Sequence, residues 1–283
     1  VQIPFTESAP RNGKDFNLTN GGCSAWILPT GEICAAAGRS LLGRELLAID
    51  LSRDAVHDIT LATSELVTNG LRHGIGRDQR RDDAAIPAPA HLELWAYRRA
   101  TLESQLVVKV FDPLPGWRRP GPEQAGTYAE CGRGTQIVEA LSERWGWHLT
   151  RSRLAAQLIP GKVAWFCVPI DVPCEQVPRL PVCQAAQALL AELASRGITR
   201  LQCHHGNGHS LVALPGLTVW AEEPGIFRWH DPTGEPGEYV RTPIADLVHV
   251  VEEAVRIHEY AAAVEAARAA TEQGQDVPGQ GGR

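Results

Sequence analysis

Four prolines, Pro169, Pro173, Pro178 and Pro181, fall within the short segment PIDVPCEQVPRLPV, and no other stretch restricts the architecture as strongly. Proline lacks a backbone N–H and clashes with the preceding helical turn, so a segment this dense in it belongs to neither a helix nor an inner strand. It reads as an extended linker over residues 171–182, dividing the 283-residue chain into two parts of ordinary domain size. The organisation that follows is a flexible N-terminus over 1–22, a first domain over 23–170, a second over 183–270 and a flexible tail over 271–283. Both ends are polar and rich in glycine or proline, without periodicity.

A formal charge of −6 offers no general attraction to phosphates or anionic lipid, so neither direct nucleic-acid binding nor a membrane surface is expected. No apolar run approaches the length of a membrane span and the first residues lack the order of a signal peptide, which predicts a cytoplasmic location. The seven cysteines contain no CxxC pair, and several sit in apolar runs, so they read as buried free thiols.

Apolar spacing places the elements. A short strand covers Ser24 to Pro29 and a helix runs from about Ile33 to Ala48. A second helix is capped by Ser52 and carries Val56, Ile59, Thr63, Leu66 and Gly70 at spacings of three and four, continuing to about His73. HLELWAYR and QLVVKVFD read as a hairpin in which Leu106, Val108 and Val110 share one face with Asp112. A loop from Pro113 to Arg133, a helix from Gly134 to Ser142 and the strands RWGWHL and KVAWFCVPI complete this half. The second half reads as a helix over 184–196, strands near 200–204, 210–213, 218–221 and 225–229, and a last helix over about 244–267. Its apolar positions Ile244, Leu247, Val248, Val251 and Val255 predict an inward-packed stripe. The expected fold class is α/β in its α+β sandwich form, a helix-on-sheet domain with a largely antiparallel sheet followed by a smaller α+β domain.

Three motifs carry chemistry. Within SELVTNGLRHG, Glu65 and Asn69 stand four apart and project from one helix face, with Arg72 and His73 one turn further on. A carboxylate and an amide oxygen suit Mg²⁺, which prefers hard oxygen ligands and completes its shell with water and substrate phosphates; a solvated helix face is the alternative. Asp112 ends a strand, where a carboxylate can accept a hydrogen bond from an exocyclic amine. In CGRGTQIVEAL, Gly132 and Gly134 open a helix, the arrangement in which free N–H groups bind phosphate. The order of the three is far more specific than any one of them. Cys203, His204, His205 and His209 crowd CHHGNGH, but this reads as a hairpin with a polar tip rather than a zinc site. Trp145, Trp147 and Trp165 read as sheet packing, and His148 and Lys162 as exposed strand or turn residues.

SELVTNGLRHG, FDPLPG and GRGTQIVEALSERWGW followed by GKVAWFCVPI together resemble the GHKL (Bergerat-fold) ATP-binding family, in its RsbW-like and SpoIIAB-like anti-sigma-factor serine-kinase branch. The resemblance covers the first half, and it departs from the family at Leu114, where the D-x-G-x-G box has its first glycine. It implies a Bergerat-type domain that binds ATP and Mg²⁺, with Asn69 as metal ligand and Glu65 orienting or deprotonating the attacking group. Asp112 would receive the adenine amino group, with Arg72 and His73 beside the nucleotide. Gly116, Gly132 and Gly134 would shape the ATP lid, and Arg133 would touch the phosphates or stand as a surface arginine. The partners implied are an anti-anti-sigma factor, phosphorylated on serine or threonine, and a sigma factor. A nucleotide-dependent binding module without phosphotransfer, an adaptor with a vestigial ATP site and a homodimer through the second half are the alternatives left open.

Overall fold

The computed structural model describes residues 18, 21–72, 91–100, 104–113, 131–155, 159–172, 180–235 and 237–275. Among them are five helices and two five-stranded antiparallel sheets, a mixed α+β architecture. The chain runs β1 (Cys23–Ile27), α1 (Ile33–Ala48), α2 (Arg53–Gly70), β2 (Glu93–Ala100), β3 (Ser104–Asp112), α3 (Cys131–Leu141), β4 (Arg144–Arg151) and β5 (Pro160–Pro169). After the proline-rich segment come α4 (Val182–Ser195), β6 (Gln202–His205), β7 (His209–Leu214), β8 (Leu217–Glu222), β9 (Ile226–His230), β10 (Tyr239–Pro243), a 3₁₀ turn over Ile244–Asp246 and α5 (Leu247–Gln275).

The first sheet has the order β1-β2-β3-β5-β4. Its even-numbered positions on β2, β3 and β5, including Leu94, Ala96, Leu106, Val108, Val110 and Phe166, pack with Leu42 and Leu46 of α1, Ile59, Leu66 and Val67 of α2 and Val138 of α3. Ser52 caps α2 as expected, its Oγ accepting from the Ala55 N–H at 3.2 Å. Leu18, inside the segment read as flexible, is buried in this core and donates its N–H to Ser24 Oγ.

The second sheet is a meander, β10-β9-β8-β7-β6, whose inner face packs on α4 and α5 through Val212, Val219, Phe227, Trp229, Leu189, Val251 and Val255. The expected apolar stripe of the last helix does face inward: Ile244, Val251 and Val255 join this core, with Leu247 against it. Strand β10 went unpredicted. The thiols are not uniformly buried either: Cys34 and Cys167 are, but Cys183 is exposed on α4.

A sheet with helices on one side leaves its other face bare, and here α5 covers it. Trp95 and Phe111 stack at 5.7 Å, while Tyr97, Val107 and Cys167 form a neighbouring apolar patch against which Val248 of α5 packs. Polar groups cross the junction. Glu252 of α5, 1% exposed, pairs with Lys109 of β3 at 3.2 Å, with Arg153 at 2.9 Å and with Arg196 at the end of α4. The Arg196 guanidinium also lies over Trp95, 5.1 Å from the ring centre, and donates to the Arg151 carbonyl at 2.7 Å. Below these, Glu93 accepts from Trp95 Nε1 and from the Arg153 and Leu154 N–H groups.

Burial pushes the Glu252 carboxyl upward, but Arg196, Lys109 and Arg153 outweigh it and hold the group well below its ordinary range. His249, whose Nδ1 lies 3.3 Å from the Tyr97 hydroxyl, is lowered from 6.5 to about 4, chiefly by burial. Burial and Lys109 lower His148 from 6.5 to about 3. His148 therefore is not an exposed strand residue: its ring is half-buried, with Nε2 at 3.4 Å from Lys109 Nζ.

Two outcomes follow for stability. Glu252→Ala leaves the buried Lys109 and Arg196 and the half-buried Arg153 without their shared partner and should destabilise by about 3–5 kcal/mol in denaturant titration. Removal of Glu222 from its partly exposed pair with Arg228 should change stability by under about 1 kcal/mol. The pH dependence has a fixed sign, because folded values below the unfolded ones mean that the unfolded chain binds protons first. Stability should be full above pH 6.5, fall as His249 and His148 must stay neutral in the fold, and fall further below 4.5 as Glu252 resists protonation. Melting temperatures measured between pH 8 and 3 check this.

Candidate functional site

Of the described site residues, Glu65, Asn69, Gly134 and Asp112 lie on the helix-bearing side of the first sheet. In α2 the segment Ile59–Val67 turns its apolar positions to the sheet, which leaves Glu65 and Asn69 on a half-buried flank that α3 approaches. The approach is close. A Cβ built on Gly134 would lie 2.7 Å from Glu65 Oε2 and 3.6 and 3.7 Å from the Asn69 amide nitrogen and oxygen. A side chain at 134 would have to displace the Glu65 carboxylate, whereas the Asn69 amide lies at ordinary contact distance.

Gly132, Arg133 and Gly134 lie within the first turn of α3, which begins at Cys131 rather than after the GRG motif. Backbone N–H groups of a first helical turn have no intrahelical acceptor, so this turn presents donors beside the Glu65/Asn69 pair. The preceding residue, Ser64, accepts from Arg39 Nη1 of α1 at 2.5 Å, which ties the two helices together at the motif. Arg72 is exposed in the turn after α2. His73, Leu114 and Gly116 lie outside the described residues.

Asp112 ends β3 on the same sheet face as Leu106, Val108 and Val110, as the alternation predicts. It is 4% exposed and paired with Lys162, whose Nζ lies 2.8 Å from Oδ2. The expectation that Lys162 is an exposed turn residue is thus wrong: it is 8% exposed and stands directly across from Asp112 in the β3–β5 register. Its signal was available in the sequence only through the pairing register, since GKV by itself carries no motif. Gly161 makes the register possible, because a Cβ there would sit 2.4 Å from the Asp112 carbonyl oxygen and 2.7 Å from the Phe111 ring.

The tryptophans divide. Trp145 packs on the helix-side core and Trp165 on the opposite face, but Trp147 is 44% exposed on edge strand β4, against the expectation of packing. In CHHGNGH, Cys203 Sγ is 3.7 Å from His205 Nε2, with His205 Nδ1 at 2.9 Å from Ser210 Oγ. His204 takes the other sheet face, opposite Leu211. Among the described residues no group of three or more His, Cys, Asp or Glu could hold a metal ion. Compared with known proteins, the chain matches no family model and no curated sequence.

The two glycines separate shape from stability. In Gly134→Ala the new methyl meets only the end of a flexible side chain and gains helix propensity, so stability should hold or rise slightly. In Gly161→Ala it meets backbone and a packed ring, and a loss of about 1–3 kcal/mol is expected. Chemical denaturation of both variants checks the contrast.

Proposed function

We propose that this protein is an ATP-binding regulator of the anti-sigma-factor serine/threonine kinase type, acting on an anti-anti-sigma partner. The observation that carries the reading is the seat of Gly134 against Glu65 and Asn69. Two segments separated by more than sixty residues of chain, each resembling a nucleotide-site motif, meet at van der Waals distance with no side chain between them.

The residues fit the group they would hold. A carboxylate, an amide oxygen and a run of helix-terminal N–H groups are the donor and acceptor set for a magnesium-bound polyphosphate, and Gly134 brings them side by side. Bound Mg·ATP supplies the transferable phosphoryl group. Asn69 would contribute its amide oxygen to the metal, and the first turn of α3 would contribute N–H donors to phosphate oxygens. Glu65 would accept the proton of the attacking serine or threonine hydroxyl, and Asp112 would accept from the adenine amine. Phosphoryl transfer asks a protein mainly for positioning and charge stabilisation, and the elements bearing these groups are anchored in one core. A sigma factor is the second partner proposed, by the same resemblance.

The test is titration with Mg·ATP alongside radiolabelled transfer to the partner. Glu65→Gln keeps size and reach but removes the base, so transfer should fall about a hundredfold or more while binding stays nearly constant. Asn69→Ala should lose both. Gly134→Ala should keep its fold and lose transfer through the displaced Glu65. No binding at millimolar Mg·ATP would sink the proposal, and binding without any labelled partner would favour the nucleotide-gated binding module.

A further inference from the structure

Lys162 belongs to none of the three motifs that carry chemistry, although it stands in the GKVAWFCVPI segment, and the fold seats it on Asp112. The two residues are cross-strand neighbours at the point where β3 ends and β5 begins, on the sheet face that α2 covers, and each is more than nine-tenths buried. Their contact of 2.8 Å is a charge-assisted hydrogen bond. The backbone beneath it is equally constrained, since only a glycine at 161 allows β5 to pass so close to the Asp112 carbonyl and the Phe111 ring. The carboxylate is thus held at its side chain by the ammonium and at its main chain by the glycine contact.

Burying an ion pair recovers little stability, because desolvation of both charges offsets their attraction. A pair placed on the residue that would read a nucleobase has a different use. We infer that Lys162 is a positioning residue for base recognition: it holds Oδ2 of Asp112 and thereby aims the carboxylate at the exocyclic amine of adenine. The inference rests on the nucleotide reading above. An ionised carboxylate is acceptor-only, so it welcomes the amine at C6 of adenine and repels the carbonyl oxygen that hypoxanthine presents at the same position. The preference for ATP over ITP therefore measures how well the carboxylate is aimed, which overall stability does not.

The experiment uses the full chain and four proteins: wild type, Lys162→Met, Lys162→Arg and Lys162→Gln. Each is titrated with Mg·ATP and with Mg·ITP and melted in parallel. Wild type should prefer ATP by roughly 10- to 100-fold, the worth of a hydrogen bond to a charged group. Lys162→Met, which keeps length but loses the ammonium, should reduce that preference to a few-fold, and Lys162→Arg should restore most of it. If Lys162→Met does not fold, Lys162→Gln carries the same test, since its amide can donate to Oδ2 without the charge and should retain the preference only in part. A wild-type ATP-to-ITP ratio in a folded Met or Gln variant overturns the role of Lys162 and leaves the nucleotide site standing. Absence of any nucleotide binding by wild type overturns both.

Discussion

One carboxylate, that of Glu252, accepts three cations drawn from three places in the chain: Lys109 in β3, Arg153 after β4 and Arg196 after α4. The first sheet is buried on both faces, and a buried strand residue such as Lys109 keeps its charge only if a partner is buried with it. Each of the three cations ties its own element to Glu252, so the sheet, the α4 terminus and α5 have one relative arrangement that satisfies them all. The apolar contacts around them, Trp95 on Phe111 and Val248 on the Tyr97 patch, are compatible with small slides; the charged cluster is not.

Strand β3 is where this junction and the candidate site touch. Side chains alternate along a strand, so Lys109 faces α5 while Asp112, three residues on, faces the helix side and Lys162. The same strand also supplies Val108 and Val110 to one core and Val107 and Phe111 to the patches of the other face. Few residues of β3 are available for substitution without disturbing a layer, and the carboxylate at its end inherits that rigidity.

Much of this was legible in the chain. Ser52 followed by a three-and-four spacing placed α2, and the four-residue step from Glu65 to Asn69 put both on one face, the face that Gly134 meets. The antiparallel strands followed from alternation and from short connections. What was missed has common physical causes. LVVKVF is an unbroken apolar run around a single lysine, the pattern of a strand covered on both sides, but reading it as one-faced left the second layer unseen. Lys109 was invisible as a buried group because its partner Glu252 lies more than a hundred residues away, and His148 because the lysine beside it stands 39 residues earlier in the chain. Lys162 needed the register of β3 against β5, which no local pattern encodes. β10, with Tyr239, Val240 and Arg241 all exposed, has no apolar alternation to announce it.

Helix α5 contributes to the second core and to the patch under the first sheet, and among the described elements it comes last. A ribosome delivers segments in order, so when β5 has emerged the phenol of Tyr97 and the ammonium of Lys109 still lack the helix that covers them. The nascent first half is then a sheet with a sticky, partly charged underside and its carboxylate not yet made. Closure arrives with the turn of helix that holds Val248, His249 and Glu252, so the underside of the first sheet is covered only once that turn has been made.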